Sequence, residues 1–190
     1  NQISAAYWRG NSQNDALQRI YALCYNNLSD LKEEENRLEE IKQRDHRNLG
    51  AQHKLFFFSS EEVGVGLPFW KPNGAILRKE LESLVTEFER KQGYQGIITP
   101  ELAKEALYYQ SGHLPYYKED MYNPIEIEGV SYRLRPMNCP HHHMVYLSEK
   151  RSYRDLPLKF SEYGKVYRFE PSGSLTGLMR TRGFSQNDAH

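Results

Sequence analysis

From Asp15 to about Arg47 the apolar positions Leu17, Tyr21, Cys24, Leu28, Leu31, Leu38 and Ile41 recur at spacings of three, four and seven. That is the period of a helix with one apolar stripe, and the Asn26-Asn27 pair is expected to divide it. Asp30 followed by Glu33 has capping-box spacing. Glu33 with Arg37, and Glu40 with Arg44, stand four residues apart, the separation of favourable ion pairs on a helix face. Residues 1–48 are therefore read as a helical linker, a solvated arm between two domains; on these residues alone a plain surface helix with a charged face is an equal reading.

After Gly50 the texture changes and a new domain, residues 49–190, is expected. Phe56-Phe57-Phe58 leads into a stretch punctuated by Gly64, Gly66, Pro68 and Pro72. Leu77, Leu81, Leu84, Val85 and Phe88 form the stripe of a helix that Gly93 would end. A short strand, Gly96-Ile97-Ile98-Thr99, is closed by Pro100. Leu102 to Tyr108 predicts another short helix, and Ile125, Ile127, Val130 and Tyr132 around Glu128-Gly129 predict a β-hairpin. A helix is expected from Pro140 to Glu149, with proline suitably placed at its start. Leu158 to Glu170 and Met179 to His190 read as strands joined by the turn-rich Pro171-Ser172-Gly173-Ser174-Leu175-Thr176-Gly177, which suggests an antiparallel sheet.

Composition narrows this little. The 190 residues carry 25 basic and 25 acidic side chains, so no basic excess announces a nucleic-acid partner, although a protein gripping RNA at scattered sites would still fit. The only cysteines, Cys24 and Cys139, lie far apart, which argues against a disulfide scaffold and suits a reducing, cytoplasmic setting where a thiolate can hold a metal. No apolar run approaches membrane-spanning length, so no membrane association is expected. The chain begins without Met and closes on His190 inside a strand-like pattern, and is expected to be a piece of something longer.

The candidate chemistry gathers near residue 190. Side chains alternate along a strand, so Arg168 and Glu170 are expected on one face and Tyr167 and Phe169 on the other. By the same rule Phe184, Gln186, Asp188 and His190 share a face: a flat ring, an amide, a carboxylate and a metal-capable imidazole. On spacing alone the favoured reading is that Arg168 and Glu170 are two neighbouring surface charges and His190 a structural donor. Cys139 beside His141-His142-His143 admits a further reading as a local metal tract, which Pro140 and helical geometry make awkward.

Val166-Tyr167-Arg168-Phe169-Glu170, through Arg180 and Gly183-Phe184 to His190, resembles the motif 2 hairpin of class II aminoacyl-tRNA synthetases. Pro171 to Leu175, Gly177-Leu178-Met179-Arg180, Gln186 to His190 and Arg135-Pro136-Met137-Asn138-Cys139-Pro140 are similar to the threonyl-tRNA synthetase family, as is the helix and Pro100 strand of motif 1. Ala6 to Gly10 and Arg44 to Arg47 resemble the passage from that family's editing region to its catalytic domain, so the likeness covers essentially the whole chain.

The resemblance implies an α/β fold of the mixed α+β kind: the N-terminal part of a class II synthetase domain, an antiparallel sheet flanked by helices and preceded by the helical linker. It implies ATP-dependent activation of threonine to threonyl-adenylate and transfer to tRNA. In that reading Arg168 would hold the α-phosphate and the threonine carboxylate, a task suited to a planar guanidinium. Glu170 would accept from the adenine amino group, Phe184 would stack on the ring and Arg180 would contact the phosphates, with Mg2+ accompanying ATP. Cys139 and His190 would be two of three protein ligands of a Zn2+ ion that threonine completes. Met137, Gln186 and Asp188 would line the threonine pocket, and His113 would relay a proton in transfer.

Motif 1 implies a homodimer. The run His141-His142-His143 departs from the family's usual small residue before a single histidine. The third zinc ligand, the motif 3 arginine and the anticodon-binding domain are expected beyond His190, so this chain alone is expected to be inactive. The nearest rival within the class is a prolyl or seryl enzyme, which the Cys139 and His190 pairing argues against. The rival of another kind is a non-catalytic synthetase-like paralogue or fragment that binds zinc, RNA or a protein partner.

Overall fold

Ion pairs rather than apolar burial hold the first long helix, α1 (Leu28–Gln43), which has no buried residue. The Asn27 side chain accepts from the Asp30 backbone N–H at 2.9 Å and so fixes where α1 begins. Asp30 is therefore the capped residue and not the cap. Arg37 binds Glu34 one turn back, at 2.6 and 2.5 Å, in place of the expected Glu33, because a three-residue step suits its bidentate fork here. Glu40 and Arg44 do pair, at 2.8 Å. The helical periodicity upstream gives way: Ala16–Leu17 form strand β2, antiparallel to β1 (Ala6–Tyr7), so backbone pairing overrides the spacing of Leu17. The computed structural model describes residues 6–7, 16–17, 22 and 24–190; Tyr21, part of the same expected stripe, lies outside them.

Two compact units result, Asn1–Arg44 and Asp45–His190. The second opens with α2 (His46–Gln52), capped by the Asp45 carboxylate, which accepts from the Arg47 backbone N–H at 2.8 Å. β3 (Phe56–Phe58) pairs antiparallel with β4 (Pro68–Trp70), and α3 (Pro72–Lys91) follows with proline in its first turn. Gly93, at φ 83°, turns the chain out of that helix, as a left-handed residue after a helix does.

The central sheet has the order β10-β9-β5, where β5 is Gln95–Gly96, β9 is Phe160–Tyr167 and β10 is Gly183–Ala189. β10 runs antiparallel to β9, and β5 runs parallel to it. The β5 ladder continues through the Ile97 N–H to the Ser161 carbonyl at 2.9 Å, and then stops because the Thr99 N–H binds the Glu162 carboxylate instead. A second, antiparallel sheet has the order β6-β8-β7: β6 is Leu102–Lys104, β8 Val130–Leu134 and β7 Ile125–Ile127. The helix expected from Leu102 thus begins only at α4 (Glu105–Gln110), since Leu102 to Lys104 are drawn into pairing with β8. The predicted hairpin is present: Glu128 and Gly129 both have positive φ, 52° and 77°, as the two-residue turn between Ile127 and Val130 requires. α5 (Cys139–Leu147) follows, with proline in its first turn. Its neighbourhood is largely polar, because Arg135, Asn138, His141, His142 and Glu162 are all buried there; a small apolar cluster of Tyr108, Leu114 and Met121 lies by α4.

Candidate active site

Residues directly opposite each other in an antiparallel pair share a face. Glu162 opposes Asp188, Gly164 opposes Gln186, and Val166 opposes Phe184, so one face carries the whole row predicted from β10. The segment from Arg135 to His142 lies across that face and ties into it at three points. Asn138 Nδ2 donates to Asp188 Oδ2 at 3.0 Å. Arg135 Nε donates to the Lys165 carbonyl at 2.8 Å. His142 Nε2 lies 3.0 Å from Glu162 Oε2.

Glu162 is the hub. It accepts from the Thr99 backbone N–H at 2.9 Å, the Thr99 hydroxyl at 2.8 Å and the Arg135 guanidinium at 3.3 and 3.4 Å. Burial works to raise its carboxyl, but the hydrogen bonds from Thr99 and His142 and the Arg135 charge outweigh it and hold the group below its ordinary value. His142 passes the chain outward, its Nδ1 lying 2.9 Å from His190 Nδ1, with the two rings nearly perpendicular at 84°.

The Asn138–Asp188 bond brings together the stretches that hold Cys139 and His190. Gly164 makes room for it: a Cβ there would run into the Asn138 amide. Gly164→Ala is expected to expel Asn138, break its bond to Asp188 and destabilise the fold by about 1–3 kcal/mol, read from urea unfolding; an unchanged midpoint would show that the amide is not held by this contact. Cys139 is half-buried, and burial chiefly pushes its thiol up, with Asp188 adding to the rise while a backbone hydrogen bond and the Arg168 charge oppose it. The three consecutive histidines do not converge. His141 packs its ring 6.2 Å from Tyr108, and burial, helped by Arg135, pushes it down to about 4. His143 stands 6.2 Å from the His190 ring. Among the described residues no three His, Cys, Asp or Glu side chains cluster at metal-binding distance.

Arg168 is anchored through Nε to the Pro136 carbonyl at 3.1 Å and lies 5.1 Å over the Phe184 ring. β9 ends at Tyr167, so the alternation expected beyond it fails: the Glu170 N–H turns back to the Arg168 carbonyl at 3.0 Å, and Phe169 packs 5.9 Å from Tyr122. Glu170 accepts from Arg180 Nε at 2.9 Å across the loop. That loop is held from behind by His46, whose Nε2 accepts from the Leu178 N–H at 2.9 Å. Met137 and Gln186 are half-buried beside these groups in sequence and register. His113 is buried; its Nδ1 lies 2.9 Å from the Ser111 hydroxyl, and burial lowers it, with His143 acting in the same direction.

Sequence reasoning missed Glu162, Thr99, Asn138 and the structural use of Arg135. A signal existed: with period two from Phe160, Glu162 shares its face with Gly164 and Val166, and a carboxylate in such a row needs partners.

A family model described as the class II core domain of tRNA synthetases (G, H, P, S and T) matches residues 122–190. A threonine–tRNA ligase of Deinococcus deserti is 51% identical over 187 residues, covering 98% of this chain and 29% of that protein. Another, from Chlorobium chlorochromatii, is 52% identical over 193 residues, covering 99% and 29%. The chain thus spans a little under a third of the curated relatives it matches. A solved structure described as the RNA binding domain of threonyl-tRNA synthetase from Cryptosporidium parvum superposes with a TM-score of 0.73 at 40% identity, covering 77% of this chain and 36% of that one. A prolyl-tRNA synthetase of Giardia lamblia, solved with prolyl-adenylate, superposes at 0.64 with 23% identity over 74% of this chain and 29% of its own, a likeness of fold alone.

Proposed function

We propose, from the premise that this chain belongs to the threonyl-tRNA synthetase family of class II aminoacyl-tRNA synthetases, that the protein activates threonine with ATP and transfers it to tRNA. The observation that carries the proposal is the face shared by Arg168, Phe184, Gln186, Asp188 and His190, with Asn138 and Cys139 delivered onto it by the crossing segment.

In this reading the carboxylate of threonine attacks the α-phosphorus of ATP, and the protein supplies position and charge rather than a nucleophile. Arg168, held at Nε, offers its remaining guanidinium nitrogens to the α-phosphate and the threonine carboxylate. Phe184 gives the adenine a flat surface. Glu170 accepts from the adenine amino group through Oε1, since Arg180 binds only its Oε2, and Arg180 leaves that oxygen to turn to the phosphates, where magnesium accompanies the nucleotide. Gln186 and Met137 bound the amino acid, Asp188 accepts its hydroxyl, and His113 assists proton transfer to the tRNA terminus.

Cys139 and His190 would hold zinc. The donor set fits: a soft thiol at the head of α5 and an imidazole packed against that same helix, joined through the Asn138–Asp188 bond. Bound there, the ion would act as a Lewis acid that recognises threonine through its amino and hydroxyl groups and so rejects valine. α3 leaves Leu77, Leu81, Leu84 and Phe88 exposed, and Ile98 is 96% exposed, an apolar surface fitted to a second copy of the protein. Among the described residues no helix is long and apolar enough to cross a membrane, and a cytoplasmic location is part of the proposal.

The test is ATP–pyrophosphate exchange by the full-length protein. Exchange is expected to depend on threonine, to be at least ~100-fold weaker with valine, and to fall with Cys139→Ala; exchange indifferent to the amino acid would overturn the reading.

A further inference from the structure

A buried carboxylate with only donors around it dictates where protons sit on everything it touches. The Thr99 backbone N–H and the Arg135 guanidinium can only donate, and both reach Glu162, so that side chain is an acceptor. His142 Nε2, 3.0 Å from Glu162 Oε2, must then carry the hydrogen of that contact. In the neutral ring His142 Nδ1 is left bare, and it accepts from the nitrogen 2.9 Å away, His190 Nδ1. His190 therefore holds its own hydrogen on Nδ1, and its Nε2 keeps a free lone pair. The backbone fixes the ring's origin, since His190 and Phe160 exchange both of their backbone hydrogen bonds at 2.9 and 2.8 Å.

We propose that Glu162 and His142 are positioning residues that lock His190 into the tautomer presenting Nε2 to a metal ion. The inference rests on His190 being a metal ligand, as the preceding section holds. His142 lies three residues after Cys139, so the residue that sets the tautomer of one ligand stands one helical turn from the other. A change of tautomer at His190 would place a hydrogen on the nitrogen that has to bind. Outer partners of this kind are worth about 10–100-fold in metal affinity.

Glu162→Gln is the discriminating substitution, because the surrounding donors choose the orientation of the new amide. The Thr99 backbone N–H cannot become an acceptor, so the amide oxygen stays opposite it, at the place of Oε1. The NH2 group then takes the place of Oε2, where the Thr99 hydroxyl and His142 can both exchange roles, while Arg135 gives up only its long Nη1 contact of 3.4 Å and keeps its bonds to the Thr99 hydroxyl and to the oxygen at the place of Oε1. His142 would lose its hydrogen at Nε2, carry it on Nδ1 and turn His190 to the Nε2–H form.

The experiment is a long-range proton–nitrogen NMR spectrum of the full-length protein labelled with 15N at histidine, recorded above pH 7.5 without added metal and again with zinc alone. In the unaltered protein His142 is expected as the Nε2–H form and His190 as the Nδ1–H form; His190 found as the Nε2–H form overturns the inference whatever the variant does. In Glu162→Gln both rings are expected to switch, and zinc affinity, measured by competition with a chelator, to drop about 10–100-fold. A variant that binds zinc as tightly as the parent, or keeps both tautomers, also overturns it. Failure of the parent to bind zinc, with the tautomers as expected, sinks the metal reading of the site instead and is thereby told apart.

Discussion

Arg168→Ala is expected to lower threonine-dependent pyrophosphate exchange by a factor of about 10²–10³, the loss seen when one preorganised donor is removed from developing oxyanion charge. The geometry makes the fall one of kcat. Arg168 spends Nε on the Pro136 carbonyl at 3.1 Å and rests over Phe184 at 5.1 Å, so its fork is aimed before any substrate arrives. Lysine is expected to rescue little, because an ammonium cannot both hold the Pro136 carbonyl and present two parallel donors. Stability should move by less than about 1 kcal/mol, since Arg168 is half-buried and engages a backbone carbonyl rather than a buried charge. The measurement is steady-state exchange in the full-length protein, with ATP and threonine varied in turn and unfolding followed in parallel. A loss confined to KM would mean that Arg168 only collects substrate, and no loss at all would remove it from the site.

The hairpin that carries this arginine was the most legible part of the chain, for a physical reason. Strand alternation is local, so Phe184, Gln186 and Asp188 could be put on one face from β10 alone, and the turn at Glu128-Gly129 announced itself through Gly129, a residue that tolerates positive φ, between two apolar alternating runs. Spacing failed where a backbone group had a distant partner. Leu102 to Lys104 are strand because β8 lies beside them, and β5 is short because the Thr99 N–H goes to a side chain 63 residues away. Period two puts Glu162 on the inward row, but what it binds was hidden for the same reason: its four partner groups come from Thr99, Arg135 and His142, three separate stretches of the chain. Glu170 was placed beside Arg168 by alternation, yet past Tyr167 the chain turns on itself, and the carboxylate meets Arg180 across the loop.

That distant network is also where the largest loss of stability is expected. Arg135 is 1% exposed, donates to the Lys165 carbonyl at 2.8 Å and to the Thr99 hydroxyl at 2.5 Å, and faces Glu162 at 3.3 Å. Arg135→Met removes the one partner of that buried carboxylate, among the described residues, that is a cation at every pH, and leaving one charge of a buried pair uncompensated costs about 3–5 kcal/mol. The sign with pH follows from the direction of the Glu162 shift. Its carboxyl is held below the ordinary value in the folded protein, so the stability it contributes is present at neutral pH and is lost as pH falls from the ordinary value, about 4.3, through the lowered one. Without Arg135 the opposing effect of burial gains ground, the folded value climbs, and the acid-dependent loss shrinks. Urea unfolding between pH 3 and pH 7 is therefore expected to show curves for the two proteins that lie furthest apart at neutral pH and converge on acidification. Parallel curves, with the same gap at every pH, would show that Arg135 acts through packing and its bonds to Lys165 and Thr99, and that the Glu162 charge is satisfied without it.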